Sequence, residues 1–216
     1  MKLHKVFFLL LLPLIIHSCA RYVNTTTNTF ADRAVIPQGF ARGSSFAIIG
    51  APQENVMFSK EVSHKIAKIL QEGGYHVTDA EHANYCLKFD YKMTGDTRTI
   101  QVPTYIPGPS ETTKGNVCSS EGELRYQEEK QSSGTVIYTP QDITLFTREL
   151  SINVYDRNNQ EQVWQGFASS TGNGDDLRDV MDYLLVSAFN YFGQNTKKNL
   201  DARVSCKNPV VKWLKT

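Results

Sequence analysis

Residues that could bind a metal or attack a substrate are sparse in this sequence. Four cysteines lie at positions 19, 86, 118 and 206, and two of the five histidines, His76 and His82, are close to Cys86. All three of these side chains can bind zinc, but their spacing fits neither CxxC nor HExxH, and no second ligand pair follows. The sequence therefore predicts no metal site and no cofactor.

Motifs for nucleophilic catalysis and phosphate binding are also missing. A serine or cysteine nucleophile needs a base and an oxyanion hole, and no GxSxG or SxxK motif marks such a residue. The turn Gly172–Gly174 precedes a helix but lacks the lysine of a phosphate-binding loop, and Asp175 and Asp176 would repel a phosphate. We therefore predict no catalytic residue, although catalytic groups can meet in space without a sequence motif.

Cys19 has the clearest chemistry of all the residues. Lys2 and Lys5 precede an apolar run, Val6–Ile16, that is too short to cross a bilayer as a permanent helix and is typical of an export signal. The run leads into Ile16-His17-Ser18-Cys19, which resembles the bacterial lipobox. This pattern predicts a lipoprotein signal peptide over residues 1–18. The alternative is an ordinary secretory signal with an incidental cysteine.

A lipid on Cys19 would determine where the protein is located. A thioether-linked diacylglycerol and an N-terminal acyl chain such as palmitate bury far more methylene groups than a single myristoyl chain, so the anchor is effectively permanent. The next residue is Ala20 and not Asp. By resemblance to enterobacterial sorting, this predicts attachment to the outer membrane, with the body facing the periplasm.

The segment after the anchor is predicted to be a lipidated flexible tether over residues 19–44. It is rich in Asn and Thr and has no lasting hydrophobic period. Without Lys2 and Lys5, the mature chain has 21 basic and 22 acidic residues. The net charge of the mature chain therefore predicts no electrostatic attraction of the folded body to an anionic membrane surface, and we expect the lipid alone to hold the protein at the membrane.

The three remaining cysteines would be in an oxidising compartment, where disulfides form. Cys118 lies in a polar segment and Cys206 in the C-terminal tail, and both segments could approach each other, whereas a strand fixes the direction of Cys86. We predict a disulfide between Cys118 and Cys206. Pairing of either residue with Cys86 and three free thiols are the alternatives.

Composition indicates one folded domain and excludes nucleic acid as a partner. The 216 residues are 40% hydrophobic and 11% aromatic, which is enough for one core. The 23 Lys and Arg residues against 22 Asp and Glu residues give a formal net charge of +1. The chain therefore has no excess of positive charge with which to displace counterions from a polyanion.

Hydrophobic periodicity predicts the elements that would carry any site. They are, in order, a strand at Ser45–Gly50, a helix from Phe58 to Leu70, a strand from Tyr85 to Tyr91, a hairpin through Leu150–Val154 and Val163–Ala168, and a helix from Leu177 to Phe192. We predict a single two-layer α+β domain over residues 45–200, with a C-terminal tail at 201–216. Its mainly antiparallel sheet of four to six strands would carry both long helices on one face.

A polar excursion at about residues 95–142 interrupts this pattern. Three prolines between Pro103 and Pro109 favour a polyproline II backbone, and Tyr105 and Ile106 offer apolar side chains that a loop does not need internally. We predict that Tyr105 and Ile106 contact a protein partner. The alternative is a solvated loop whose sequence is merely tolerated.

Two segments resemble a known family. The strand ANYCLKFDY and the hairpin ELSINVYD–EQVWQGFA match the "adA-Dyl" and "D…vWrG" patterns of the bacterial lipoprotein domain of unknown function DUF4136. Asn84 stands where Asp is usual, and Gln165 stands where Arg is common. The resemblance covers about residues 45–196. It implies a location in the cell envelope and no known activity.

The function predicted from these features is a non-enzymatic accessory or partner-binding module of the cell envelope. It is predicted by analogy of fold with other small envelope lipoproteins. A periplasmic small-ligand binder, or a hydrolase whose site cannot be recognised in the sequence, is the alternative. An exposed apolar patch would favour the first interpretation, and a pocket with converging polar groups would favour the second.

Overall fold

A computed structural model describes residues 22–50, 55–108, 111–117, 124–130 and 134–216. The predicted signal peptide and Cys19 lie outside the described residues. The chain divides into two compact units. The first contains the described residues up to Tyr91 together with Glu149–Ser170 and Arg178–Thr216, and the second contains Lys92–Arg148 and Thr171–Leu177. The predicted excursion at about 95–142 lies within the second unit.

The described residues form nine strands and three helices. In chain order they are β1 (Tyr22–Ala31), β2 (Ser45–Gly50), α1 (Val56–Glu72), β3 (His76–Val77), β4 (Tyr85–Ile106), β5 (Glu111–Val117), β6 (Leu124–Lys130), β7 (Thr135–Asp156), β8 (Gln162–Gly172), α2 (Arg178–Phe189), β9 (Leu200–Ser205) and α3 (Pro209–Leu214). The predicted hairpin is confirmed, because β7 and β8 are neighbours and Asp156 N donates to Glu161 O at 2.9 Å across their turn.

The main sheet has seven strands in the order β3-β2-β4-β7-β8-β1-β9, and β5 pairs antiparallel with β6 in a second sheet. Strand β2 runs parallel to both β3 and β4, whereas β1 runs antiparallel to β8 and β9. The α+β class is confirmed, but the prediction of a mainly antiparallel sheet of four to six strands is wrong. The parallel pairs arise because β2 connects through α1 to the strands beside it.

The prediction of a flexible tether over residues 19–44 is wrong where β1 lies. Tyr22–Ala31 forms an interior strand between β8 and β9, and α2 packs against it. Its inward side chains include Thr25, Thr27 and Thr29, which are buried. Threonine favours extended backbone because it is β-branched, but it adds little to a hydropathy pattern. The sequence of β1 therefore shows no alternation of apolar residues from which its burial could be predicted.

The C-terminal tail predicted at residues 201–216 is also folded. Strand β9 pairs with β1, and α3 begins after Asn208, whose Oδ1 accepts from Val210 N at 2.9 Å. Val204, Val211 and Leu214 are buried. The tail therefore forms the edge strand of the sheet beside β1 and adds buried side chains to the core beside α2.

The two long helices bury the faces that their periodicity predicts. Asn55 caps the N-terminus of helix α1, and its Oδ1 accepts from Phe58 N at 3.0 Å. The helix packs on β2 and β3 with its apolar face inward. Helix α2 packs on β1 and β9, and the two helices also contact each other. Among the described residues, no helix has the length and apolar character needed to span a membrane.

A buried ion pair joins the two helices. Lys65 Nζ on α1 lies 2.7 Å from Asp182 Oδ1 on α2 and 2.6 Å from Glu61 Oε1. Asp182 is buried, whereas Glu61 is half exposed. Burial alone would lower the pKa of Lys65, but hydrogen bonds to Asp182 and Glu61, together with their negative charges, outweigh it and raise the pKa.

Replacing Asp182 by alanine should lower the free energy of unfolding by about 3 kcal/mol. The reason is that the largely buried Lys65 ammonium then keeps only one anionic partner, the half-exposed carboxylate of Glu61. The matched control, Glu61→Ala, removes the exposed partner and should cost less than about 0.5 kcal/mol. Urea denaturation measures both. The raised pKa of Lys65 means that its stabilisation is present below the ordinary lysine pKa, about 10.4, and is lost at higher pH. Equal effects of the two variants would contradict this account.

Candidate partner-binding surface

The second unit contains a two-stranded ribbon formed by Lys92–Ile106 of β4 and Thr135–Arg148 of β7. Cross-strand hydrogen bonds define its register. Thr97 Oγ1 lies 3.0 Å from Thr144 Oγ1, and Thr99 Oγ1 donates to Asp142 Oδ1 at 2.6 Å. The residue numbers rise on one strand as they fall on the other, so this part of the ribbon is antiparallel.

Large apolar side chains are exposed along this ribbon. They are Met93, Ile100, Tyr105, Ile106, Val136, Ile137 and Tyr138. The five at the end of the ribbon come from both strands, since 105–106 close β4 and 136–138 open β7. We name this end, residues 105–106 and 136–138, the ribbon tip.

Both faces of the ribbon tip are apolar. Side chains alternate along a strand, so Tyr105 shares a face with Thr97 and Thr99, while Ile106 lies on the opposite face. Val136 and Tyr138 alternate in the same way with Ile137. Tyr138 is 66% exposed, Tyr105 is 61% exposed and Ile106 is 48% exposed. The tip therefore presents aromatic surface on one face and aliphatic surface on the other.

The structure places the predicted contact residues Tyr105 and Ile106 at this tip. The expectation of a polyproline II backbone is wrong for 102–106, because these residues belong to β4. Tyr105 Oη accepts a hydrogen bond from Gly134 N at 3.1 Å, which ties the end of β4 to the start of β7. Pro109 lies outside the described residues. Whether Tyr105 and Ile106 touch a partner stays a prediction.

The other side of the surface could not be found from local sequence. Short alternating runs at Leu124–Tyr126 and Thr135–Tyr138 predict, from sequence alone, a hairpin between these two segments. Instead, β6 pairs with β5, and β7 is the neighbour of β4. The alternating run around Val136 and Tyr138 thus predicts a strand, but it does not predict that β4 is the neighbouring strand.

The cysteines and histidines do not come together in the described structure. Cys86 is buried against Ala47 and Ala83, whereas His76 and His82 are exposed. A side-chain hydrogen bond between His82 Nδ1 and Asp79 Oδ1, 2.7 Å long, lowers the pKa of Asp79. Among the described residues, no three His, Cys, Asp or Glu side chains form a group that could hold a metal.

The disulfide prediction is not tested by the structure. Cys118 lies outside the described residues. Cys206 is half buried, is not bonded to Cys86, and packs against Tyr183, Val204 and Val211. The pairing of Cys118 with Cys206 therefore stays a prediction.

Trp164 and Gly166 form a local packing motif on β8. Side chains two residues apart share a face of a strand, and a Cβ at Gly166 would collide with Trp164 Cη2. The indole therefore lies across Gly166. Its Nε1 donates to Gln194 O at 3.2 Å, and its ring meets Phe192 edge-on with centroids 5.0 Å apart. The Trp-x-Gly spacing is thus a requirement of core packing.

Replacing Gly166 by alanine should destabilise the protein by about 1–3 kcal/mol, because the new methyl group forces the Trp164 indole out of its site. The control, Gln165→Ala, changes the adjacent exposed residue and should have an effect of less than about 0.5 kcal/mol. Urea denaturation followed by tryptophan fluorescence, to which Trp164 and Trp213 both contribute, measures both. An unchanged midpoint and emission maximum for Gly166→Ala would show that the indole does not depend on this glycine.

Asn84 makes a second motif-specific contact, between the starts of β2 and β4. Its Oδ1 accepts from Ser45 N at 2.9 Å and from Ser45 Oγ at 2.8 Å. Asn84 N in turn donates to Ser45 Oγ at 2.9 Å. A carboxylate at this position could accept the same two bonds, so Asn84 fits a position where aspartate is usual.

The residues of both motifs lie within a segment that matches a family model. A sequence profile described as "Domain of unknown function (DUF4136)" matches residues 27–192. The chain belongs to the DUF4136 family. The DUF4136 match begins within β1 and ends just after α2, so it includes a strand that the predicted start at residue 45 left out.

Solved structures that are similar to this DUF4136 protein include the following two. PelC of Paraburkholderia phytofirmans, which was solved as a dodecamer, shares 12% sequence identity, with 79% of this chain and 99% of that chain covered and a TM-score of 0.43. A PDZ domain protein of Parabacteroides distasonis shares 12% identity, with 86% of this chain and 40% of that chain covered and a TM-score of 0.45. Among curated proteins, no sequence matches this chain.

Proposed function

We propose that this DUF4136 protein is a non-enzymatic accessory protein of the bacterial cell envelope. It is anchored in the outer membrane by a lipid on Cys19, faces the periplasm and binds a protein partner through the ribbon tip. The observation that carries the partner-binding role is the group of exposed apolar side chains at the tip. The lipid anchor is supported by the sequence Ile16-His17-Ser18-Cys19 and the outer-membrane location by Ala20.

The composition of the ribbon tip is suited to a protein interface. Single exposed apolar residues are common on soluble proteins, but several together on one small surface mark an interaction site. Tyrosine is enriched at interfaces because its ring buries a large area while its hydroxyl keeps a hydrogen bond. Tyr105 and Tyr138 provide two such rings, and Ile106 and Ile137 provide aliphatic surface on the other face.

Strand geometry would help the ribbon tip to bind. Tyr105 and Ile106 lie in β4, and Tyr138 lies in β7, so their backbones are already extended. Less conformational freedom is lost on binding when a segment is ordered beforehand than when it is a free loop. Prolines 103 and 140, one in each strand, restrict the backbone further.

A photo-crosslinking experiment in living cells tests the proposal. With the crosslinker at Tyr138, we expect a discrete crosslinked product that disappears in the variant Tyr105→Ser/Ile106→Ser. The matched control is Val56→Ser/Met57→Ser, which removes another exposed apolar pair, from the first unit, and should leave the product intact. Thermal unfolding of each purified variant shows whether the fold is preserved.

Two results would contradict a partner-binding tip. One is a crosslinked product whose yield does not change in Tyr105→Ser/Ile106→Ser. The other is a fall of several degrees in the melting temperature of that variant, more than the loss of the exposed hydrogen bond between Gly134 N and Tyr105 Oη accounts for. Such a fall would mean that the two side chains pack within the protein.

A further inference from the structure

Positive charge is concentrated at the C-terminal end of the sequence. Residues 197–216 contain six of the 23 Lys and Arg residues and only one of the 22 acidic residues, Asp201. The rest of the chain consequently has 17 basic and 21 acidic residues. The nearly neutral total thus hides an uneven distribution of charge.

Four of these basic residues lie where β1 begins, β9 ends and α3 follows. The β1–β9 register aligns Tyr22 with Ser205, and the Arg203 guanidinium carbon lies 4.8 Å from the centroid of the Tyr22 ring. Lys207 comes directly after this strand end. We name the exposed basic side chains at this end of the sheet the basic corner. They are Lys207, Lys212 and Lys215, which lie at or beside α3, and Arg203, which lies on the sheet face opposite α2 because its neighbour Val204 packs against Tyr183.

Both lysines at the end of α3 are exposed, but they face different ways. Val211 and Leu214 are buried beside α2, so Lys212 projects from the other side of this short helix, whereas Lys215, the C-cap, stays beside α2. Lys215 Nζ lies 5.5 Å from the Tyr183 ring. None of the four cations of the basic corner forms an ion pair with a described residue, and Asp201 accepts a hydrogen bond from Thr26 Oγ1 at 2.7 Å.

The predicted lipid site is close to this corner along the chain. Only Ala20 and Arg21 separate Cys19 from Tyr22. Three residues of chain span at most about 10 Å, even when fully extended. Because β1 begins at Tyr22, a lipid on Cys19 would hold this end of the first unit within about 10 Å of the bilayer surface. That distance is comparable to the screening length of about 8 Å at physiological salt.

We propose that the basic corner binds the headgroups of anionic phospholipids and orients the first unit on the membrane that holds its lipid anchor. This proposal rests on the lipid anchor of the proposed function for its orientation, although the affinity of the corner for anionic lipid does not depend on it. Lysine and arginine side chains within a screening length of an anionic leaflet are attracted to it, and their contributions accumulate. The lipid supplies attachment, and the corner supplies orientation.

Vesicle sedimentation tests the basic corner without the anchor. The unlipidated chain beginning at Ala20 contains every described strand and helix, so it can be used in place of the lipidated protein. We expect it to bind vesicles of mixed phosphatidylglycerol and phosphatidylcholine at low ionic strength, and to be released by salt. Binding to pure phosphatidylcholine should be at least tenfold weaker, because that surface carries no net charge.

Charge reversal locates the binding surface. Lys207→Glu/Lys212→Glu should reduce binding to the anionic vesicles at least tenfold. The matched control, Arg33→Glu/Arg157→Glu, makes the same change in net charge and should retain most of the binding. Arg33 follows the last residue of β1 and Arg157 precedes the first residue of β8, so both lie away from the basic corner, at the other end of these strands. Circular dichroism and the melting temperature verify that both variants are folded.

The possible outcomes separate this proposal from the lipid anchor. Equal losses in the two charge-reversal variants, or no preference for phosphatidylglycerol, would overturn the basic corner as a lipid-binding surface and leave it to a protein partner or a second copy. An unmodified Cys19 in cells would overturn the anchor, while selective vesicle binding would still support the affinity of the corner for anionic lipid.

Discussion

Replacing Cys19 by serine should move the protein from the membrane fraction to the soluble fraction of the envelope. The physical reason is that acyl chains on Cys19 would bury many methylene groups, each contributing about 0.8 kcal/mol, whereas the basic corner provides only electrostatic attraction that salt weakens. Fractionation of cells after a high-salt wash, followed by immunoblotting, measures the distribution.

The matched control is Cys206→Ser, which alters a half-buried cysteine in the folded body and should leave the protein in the membrane fraction. The position of the Cys19→Ser protein should also depend on salt, since the basic corner can retain part of it at low ionic strength. If the exported Cys19→Ser protein remains with membranes after the high-salt wash, the anchor lies elsewhere.

Replacing Leu184 by alanine should lower the free energy of unfolding by about 2–5 kcal/mol. Leu184 lies on the inner face of α2 and is fully buried. Its truncation removes buried apolar area and leaves a cavity that the surrounding side chains fill only in part. Urea denaturation of the chain beginning at Ala20 gives the difference.

Val56→Ala is the matched control for Leu184→Ala. Val56 begins α1 but is exposed, so its truncation should cost less than about 0.5 kcal/mol. Equal midpoints for Leu184→Ala and the wild-type protein would mean that α2 does not face the core.

The amphipathic helices and the β7–β8 hairpin could be predicted because their signals are local. Apolar residues at helical spacing identified the inner face of α1, and alternation around the turn at Asp156 identified the hairpin. Strand β1 gave no such signal, because Thr25, Thr27 and Thr29 are buried without being apolar. Its burial depends on β8, β9 and α2, which are distant in sequence.

The candidate surfaces were predictable to different degrees. Prolines beside Tyr105 and Ile106 singled out one side of the ribbon tip, but the pairing of β4 with β7 joins segments far apart in sequence. The basic corner was hidden for another reason. Net charge sums over the whole chain, whereas the corner depends on the β1–β9 register that places Arg203 beside Tyr22.

The strand in place of the predicted tether has a consequence for function. A tether of residues 19–44 would let the body move freely away from the membrane. Because β1 begins at Tyr22, an anchor at Cys19 would instead hold the sheet end beside the bilayer. The anchor would then keep the basic corner near the membrane, where the corner can orient the first unit.

Mass spectrometry of the N-terminal tryptic peptide tests the central claim, the lipid anchor at Cys19, most directly. Trypsin cleaves after Arg21, so the mature protein isolated from membranes should yield Cys19-Ala20-Arg21 carrying a thioether-linked diacylglycerol and an N-terminal acyl chain. The Cys19→Ser protein should not yield this lipopeptide. An unmodified Cys19, or a mature chain that begins at another residue, would contradict the account.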